Sequence, residues 1–329
     1  MKFEEFVGTM SSLVQEQLST CHVETTTVTK LNGIVRTGLV IREESDQPSP
    51  TIYLEEMYEQ FKRKESSAEE LATKILEIYR KGRLSKKFDL QMLMDYSKVR
   101  EHLQMKLVNA EKNQELLEKS VHMELLNLAI LFYLPTDAFG VPDGTITITN
   151  HQMEAWKVTK EELFYDAISF AETKNPTVLY PIEELVLSMM QGKSAMDGPE
   201  SEPASIKVQL TKILEKYPQK EGEENPLVVV ATNQLRRYGA SCIINPQFMR
   251  DCAEKFGKNI YILPSSVHEV LLIPEYREME AKVLLDMVLQ VNSTEVEAGD
   301  FLADSVYYYD REKDRISIVA NQVNMSCAG

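Results

Sequence analysis

A chain of 329 residues exceeds what one hydrophobic core usually fills, and a composition of 43% apolar and 26% charged residues excludes a disordered polymer. A formal net charge of −15 argues against direct binding to a nucleic-acid backbone, which needs Lys and Arg to displace counterions. Cys21, Cys242, Cys252 and Cys327 form no C-x-x-C pair, which speaks against a disulfide framework or a zinc ribbon and for a reducing cytoplasm.

Taken in chain order, Met1-Lys2-Phe3-Glu4-Glu5-Phe6 carries acids where a secretory signal carries a basic region and an apolar run, so export is not expected. Phe3, Phe6, Met10, Leu13 and Val14 recur at helical spacing and predict a helix over 2–18. Residues 23–31 and 34–41 read as strands joined at Asn32-Gly33, a strong hairpin signal, and 51–54 as a short strand after a loop at 45–50. Helices follow at 55–63 and 68–81. The second opens on a capping box, Ser67 with Glu70, and carries Leu71, Ile75, Ile78 and Tyr79 as its apolar stripe. Residues 88–118 read as mainly helical, with Tyr96, Val99, Leu103 and Leu107 inward.

The run 125–134 predicts one near-continuous apolar strand, too short to span a membrane, followed by a Pro142-Asp143-Gly144 turn and a strand at 145–149. Thr159 and Glu162 form a second capping box before Leu163, Ala167, Phe170 and Ala171, and Trp156 is expected as a core anchor. The segments 51–57, 147–153 and 242–248 each run strand, polar cap, apolar anchor, which suggests a repeated strand-to-helix unit. Segments 192–205 and 218–226 are rich in Gly, Pro, Ser and acids and read as linkers around a helix carrying Ile206, Leu210, Ile213, Leu214 and Tyr217. The last module reads as strands 227–231 and 240–244, a helix from Pro246 to Phe256 stopped by Gly257, strands 260–263 and 267–273, and a helix over 278–291. Tyr307-Tyr308-Tyr309 predicts an edge strand returned by 316–319.

Short loops between strands favour antiparallel pairing, so the fold class is α+β: two or three consecutive modules of short, mainly antiparallel sheets packed with helices. The expected modules are 1–120, 121–191, a linker and helix at 192–226, and 227–329.

No cofactor or metal motif is complete. His268-Glu269 lacks the second histidine of a zinc-peptidase motif, because Leu272 stands there, and Gly192-Lys193-Ser194 lacks the earlier glycine of a phosphate loop, because Leu187 stands there. Ser266 and His268, with Glu269, are the candidates for a nucleophile and base, but no G-x-S-x-G elbow accompanies them, and a turn shaped by Pro264 accounts for the two serines. Asn233, Arg236 and Arg237, with Tyr238, form a compact basic group near Ser265, suited to gripping a carboxylate or phosphate.

Ser49-Pro50-Thr51-Ile52-Tyr53-Leu54, residues 107–113 and 128–133, Tyr261-Ile262-Leu263-Pro264-Ser265-Ser266-Val267-His268-Glu269-Val270 and residues 306–311 resemble bacterial proteins of gut Firmicutes grouped as a domain of unknown function. The element order is also similar to a broader Bacillus-type family. Neither resemblance implies an activity or catalytic residues. The expectation from sequence is a cytoplasmic, non-enzymatic binding or regulatory protein with a protein partner or a small anionic ligand, no cofactor and no membrane attachment. The alternatives are a hydrolase built on Ser266 and His268, and an acidic protein that mimics nucleic acid.

Overall fold

A computed structural model describes residues 1–42, 51–84, 92–139, 144–191, 204–218, 226–276 and 279–322. The loop at 45–50, Pro142 and Asp143 of the expected turn, most of both linkers and Cys327 lie outside the described residues. The chain has an α+β fold that divides into two compact units, Met1–Lys98 with Leu134–Ile146, and Val99–Tyr133 with Thr147–Gly329. This division cuts through the modules expected at 1–120 and 121–191.

In the first unit, β1 (His22–Thr29), β2 (Val35–Arg42) and β3 (Thr51–Tyr53) form an antiparallel sheet. The turn between β1 and β2 follows the Asn-Gly signal: Asn32 and Gly33 both take positive φ, 58° and 71°, and Ile34 N–H closes onto the Leu31 carbonyl. Phe6, Met10 and Val14 of α1 (Phe3–Glu16) meet Leu71, Ile75 and Leu76 of α3 (Ala68–Leu84), with Leu39 and Ile41 of β2. Met57 of α2 (Glu55–Lys62) joins the same core. Ser67 and Glu70 exchange their two capping bonds, whereas Ile78 points outward at 40% exposure and Ala72 and Leu76 take the inward places.

α4 (Tyr96–Val99) spans the point in the chain where the second unit begins, and the first strand of that unit is β4 (Gln104–Asn109), where the helical expectation for 88–118 fails. Every residue of β4 is buried. Leu103 and Leu107 sit four apart and mimic a helical stripe, but Leu103 only precedes β4 and Leu107 lies in it, a strand buried on both faces that need not alternate. A short α5 (Gln114–Lys119) precedes β5 (His122–Leu125) and β6 (Leu128–Pro135), and β6 pairs antiparallel with both β4 and β5 in the order β4-β6-β5. The strand expected at 125–134 is β6, which starts at Leu128; Leu125 ends β5, and the chain turns between them where Leu126 takes φ 58°.

β7 (Thr145–Thr147) is followed by α6 (Asn150–Trp156), α7 (Lys160–Thr173), β8 (Thr177–Pro181), α8 (Ile182–Met190), α9 (Ile206–Lys216) and β9 (Val229–Asn233). Trp156 is half-buried at the end of α6. Thr149 and Thr159 each accept the N–H three residues ahead, and Gln152 and Glu162 return the bond. The strand expected at 240–244 is a 3₁₀ turn over Gly239–Ile244, so the third copy of the strand-to-helix unit has no strand. Asn245 then caps α10 (Pro246–Phe256), which ends at Gly257 with φ 68°.

β10 (Ile260–Pro264), β11 (Val270–Pro274), β12 (Ser305–Asp310) and β13 (Arg315–Asn321) complete a six-stranded antiparallel sheet in the order β13-β12-β10-β11-β9-β8. β12 is interior, with β13 outside it, so the tyrosine row is not an edge: Tyr307 and Tyr309 are buried. α11 (Ala281–Thr294) packs Leu284, Leu285 and Val288 on Tyr261, Leu263, Ile273 and Val306. The opposite-facing Ile262, Leu272 and Tyr307 are equally buried, so this part of the sheet is covered on both faces. Among the described residues no helix is long and apolar enough to cross a membrane.

The caps give the first test. Thr159→Ala removes one backbone-satisfying bond at the start of α7, and urea unfolding should show a loss of about 1 kcal/mol.

Candidate functional site

The basic segment after β9 and the hairpin between β10 and β11 meet at one end of the six-stranded sheet, because β9 and β11 are antiparallel neighbours with Val270 opposite Ala231. Each loop is shaped locally. Asn233 accepts the Arg237 N–H at 3.2 Å and donates to the Arg237 carbonyl at 2.8 Å, which closes the loop on itself. Arg236 and Tyr238 both take left-handed backbone, φ 52° and 56°, a conformation that a non-glycine residue holds only where its surroundings impose it. In the hairpin, Ser266 N–H donates to the Glu269 carbonyl, and Ser266 Oγ accepts the His268 N–H at 3.0 Å. The strand begins only at Val270, so residues 267–269 belong to a turn.

Gly239 locks the two loops together. A Cβ there would collide with Thr232 Oγ1 and stand 2.6 Å from both the Asn233 nitrogen and the His268 carbonyl oxygen. Thr232 Oγ1 also donates to that carbonyl at 2.7 Å. The close approach needs a residue without a side chain.

Two polar networks result. In the first, Arg236 lies over the Tyr180 ring, 5.0 Å from its centroid, and donates to its hydroxyl at 3.0 Å; Tyr180 and Ser265 in turn donate to the two oxygens of Glu269, each at 3.4 Å. Burial pushes the Glu269 carboxyl above its ordinary range, against the pull of Tyr180, Ser265 and Arg236. Burial, with Glu269 alongside, pushes the Tyr180 hydroxyl up to about 12.

In the second network, the His268 ring stacks on Tyr238 with 5.5 Å between centroids, and Tyr133 meets Tyr238 edge-on at 5.2 Å. The ammonium of Lys106, a residue only 3% exposed, sits 5.0 Å from the Tyr238 centroid and 5.5 Å from that of Tyr133. His268 Nδ1 accepts the Tyr238 N–H at 3.1 Å, so the ring proton is on Nε2, which donates to Asp300 at 3.3 Å. Ser266 bonds to the backbone of His268 and not to its ring.

The structure thus brings Asn233, Arg236, Arg237, Ser265, Ser266, His268 and Glu269 into one region. Sequence reasoning missed Tyr180, Lys106, Thr232 and Asp300. No motif marked them in advance; the nearest to a signal is Lys106 between the apolar Met105 and Leu107. Beside the loop lies a cavity of about 210 Å³, which Asn233 also lines. Among the described residues no group of three or more His, Cys, Asp or Glu side chains is placed to hold a metal ion. Burial raises both the Cys242 and Cys252 thiols, so neither is an activated nucleophile.

The chain belongs to a family of unknown function, DUF5688, which matches residues 3–311. Comparison with curated proteins and with solved structures found no match.

Two outcomes follow from this geometry. Gly239→Ala should destabilise the second unit by about 2 kcal/mol or more in urea unfolding, since the obstructing atoms are largely backbone. Glu269 binds its proton more tightly folded than unfolded, so its contribution to stability is complete below the unfolded value of 4.5 and is lost as pH rises through the folded value. Glu269→Gln removes that dependence. Its stability relative to the parent should therefore improve from pH 4 to pH 7 in paired urea titrations, and a flat difference would exclude a buried, ionising Glu269.

Proposed function

We propose that the protein is a non-enzymatic binding or regulatory protein of the cytoplasm that takes a small anion at the loop after β9. The observation that carries this reading is the state of His268. Its Nδ1 lone pair is engaged by the Tyr238 N–H and its Nε2 proton by Asp300, so the imidazole holds a loop in shape and has no free lone pair with which to activate a nucleophile. Ser266, the nucleophile of the alternative hydrolase, accepts the backbone N–H of His268. The group is built for rigidity.

Charge supports an anion as the ligand. Arg236, Arg237 and Lys106 gather here against Glu269 and Asp300, and burial biases Glu269 toward its neutral form. Arg236 donates to the Tyr180 hydroxyl, and the Arg237 guanidinium lies over the Tyr238 ring, 5.7 Å from its centroid. A loop already fixed in shape gives up little conformational entropy on binding.

Titration with inorganic phosphate and with succinate, followed by calorimetry and thermal unfolding, tests the reading. At least one anion should bind and raise the unfolding temperature. Arg237→Ala should weaken that binding by about tenfold to a hundredfold, the range for a charged hydrogen bond. Absence of binding by either anion, or ester hydrolysis that disappears in Ser266→Ala, would replace this reading with the hydrolase.

A further inference from the structure

The cavity beside the loop has a different chemistry from the arginine group, and all its walls come from the second unit. Its lining includes two amide side chains that are almost wholly buried, Asn175 at 5% exposure and Gln104 at 6%. Asn175 Oδ1 accepts the Leu235 N–H at 3.0 Å, which fixes the amide orientation, and its NH₂ group has no acceptor among the described residues. Gln104 Oε1 accepts the Tyr133 hydroxyl at 2.8 Å, and its NH₂ group is likewise without an acceptor there. Neither amide nitrogen is sealed off inside the protein, so each is open to an acceptor that enters the cavity.

The rest of the lining narrows the acceptor. Phe170 and Phe248 supply apolar wall, and among the described residues the only charged side chains of the lining are the carboxylates of Glu172 and Asp251. Asp251 is paired with Lys207, which lies 3.5 Å away and outside the lining. Glu172 accepts one amide bond, from Asn245 at 2.9 Å, and has no cationic partner among the described residues. Such a lining disfavours an anion and favours a ligand with a carbonyl at one end and a positive charge at the other. An apolar cavity of about 150 Å³ takes benzene, so about 210 Å³ accepts a body with one ring and a short polar arm.

We infer that this cavity binds a small α-amino amide, its carbonyl oxygen accepting from Asn175 and Gln104, its apolar body between Phe170 and Phe248, and its ammonium facing Glu172. The site stands independently of the anion site: Arg237 is not part of its lining.

Four matched probes test it by calorimetry on the full chain: phenylalaninamide, phenethylamine without the carbonyl, 3-phenylpropanamide without the charge, and 3-phenylpropanoate with the opposite charge. Phenylalaninamide should bind most tightly, phenethylamine at least tenfold more weakly, and the anion not measurably. Glu172→Gln, at an exposed position, should weaken phenylalaninamide and leave 3-phenylpropanamide unchanged. Ala171→Phe fills the cavity from its α7 wall and should abolish binding of every probe while Arg237→Ala changes none of it. If Ala171→Phe fails to fold by circular dichroism, the Glu172→Gln comparison decides alone. Equal binding of phenylalaninamide and phenethylamine, tightest binding of the anion, insensitivity to Glu172→Gln, or no binding by any probe each overturns the inference.

Discussion

The close approach at Gly239 is the contact on which the site depends. It sets the exit of β9 directly against the backbone of the β10–β11 hairpin, where the Thr232 hydroxyl and the His268 carbonyl meet. With that spacing imposed, the intervening residues must turn back within a few positions, and Arg236 and Tyr238 enter the left-handed region to do so. Their side chains are then delivered in two directions, Arg236 onto Tyr180 and Tyr238 onto His268. A side chain at 239 would separate the loops and remove both placements together.

The polar groups gathered here would destabilise the sheet end if they were left alone. Each is instead matched: Glu269 receives two hydroxyls and a nearby guanidinium, and Lys106 lies against two aromatic faces. Such matching fixes orientation more than it adds stability, because a buried charge pair about offsets its own desolvation. Specific shape at a sheet end, built from residues that are already satisfied, is what the proposed binding role requires. A catalytic pair needs the reverse, a base with a free lone pair.

Much of the local structure is legible in the sequence where one short-range rule decides it. The Asn32-Gly33 turn, the boxes at Ser67 and Thr159 and the stop at Gly257 depend on residues three or four apart, and all four appear where the sequence places them. Legibility fails where burial on both faces erases periodicity, as in β4, and where a short apolar run such as Cys242-Ile243-Ile244 satisfies its backbone in a 3₁₀ turn. The site follows the same division. The arginines and the Ser-Ser-Val-His-Glu turn are contiguous and visible, but their partners are remote: Tyr180 lies 56 residues before Arg236, and Asp300 lies 32 after His268. Only the strand order brings them together.

Asn175 joins the two regions by using one amide in two directions. Its carbonyl oxygen holds the Leu235 N–H and therefore the loop that carries Arg236 and Arg237, while its amino group faces the cavity. Asn233 has the same double position, closing the loop through Arg237 and lining the cavity wall. An acceptor that fixes the Asn175 amide from the cavity side also restrains the loop from behind. The physical link is one planar amide, whose two ends cannot be reoriented separately.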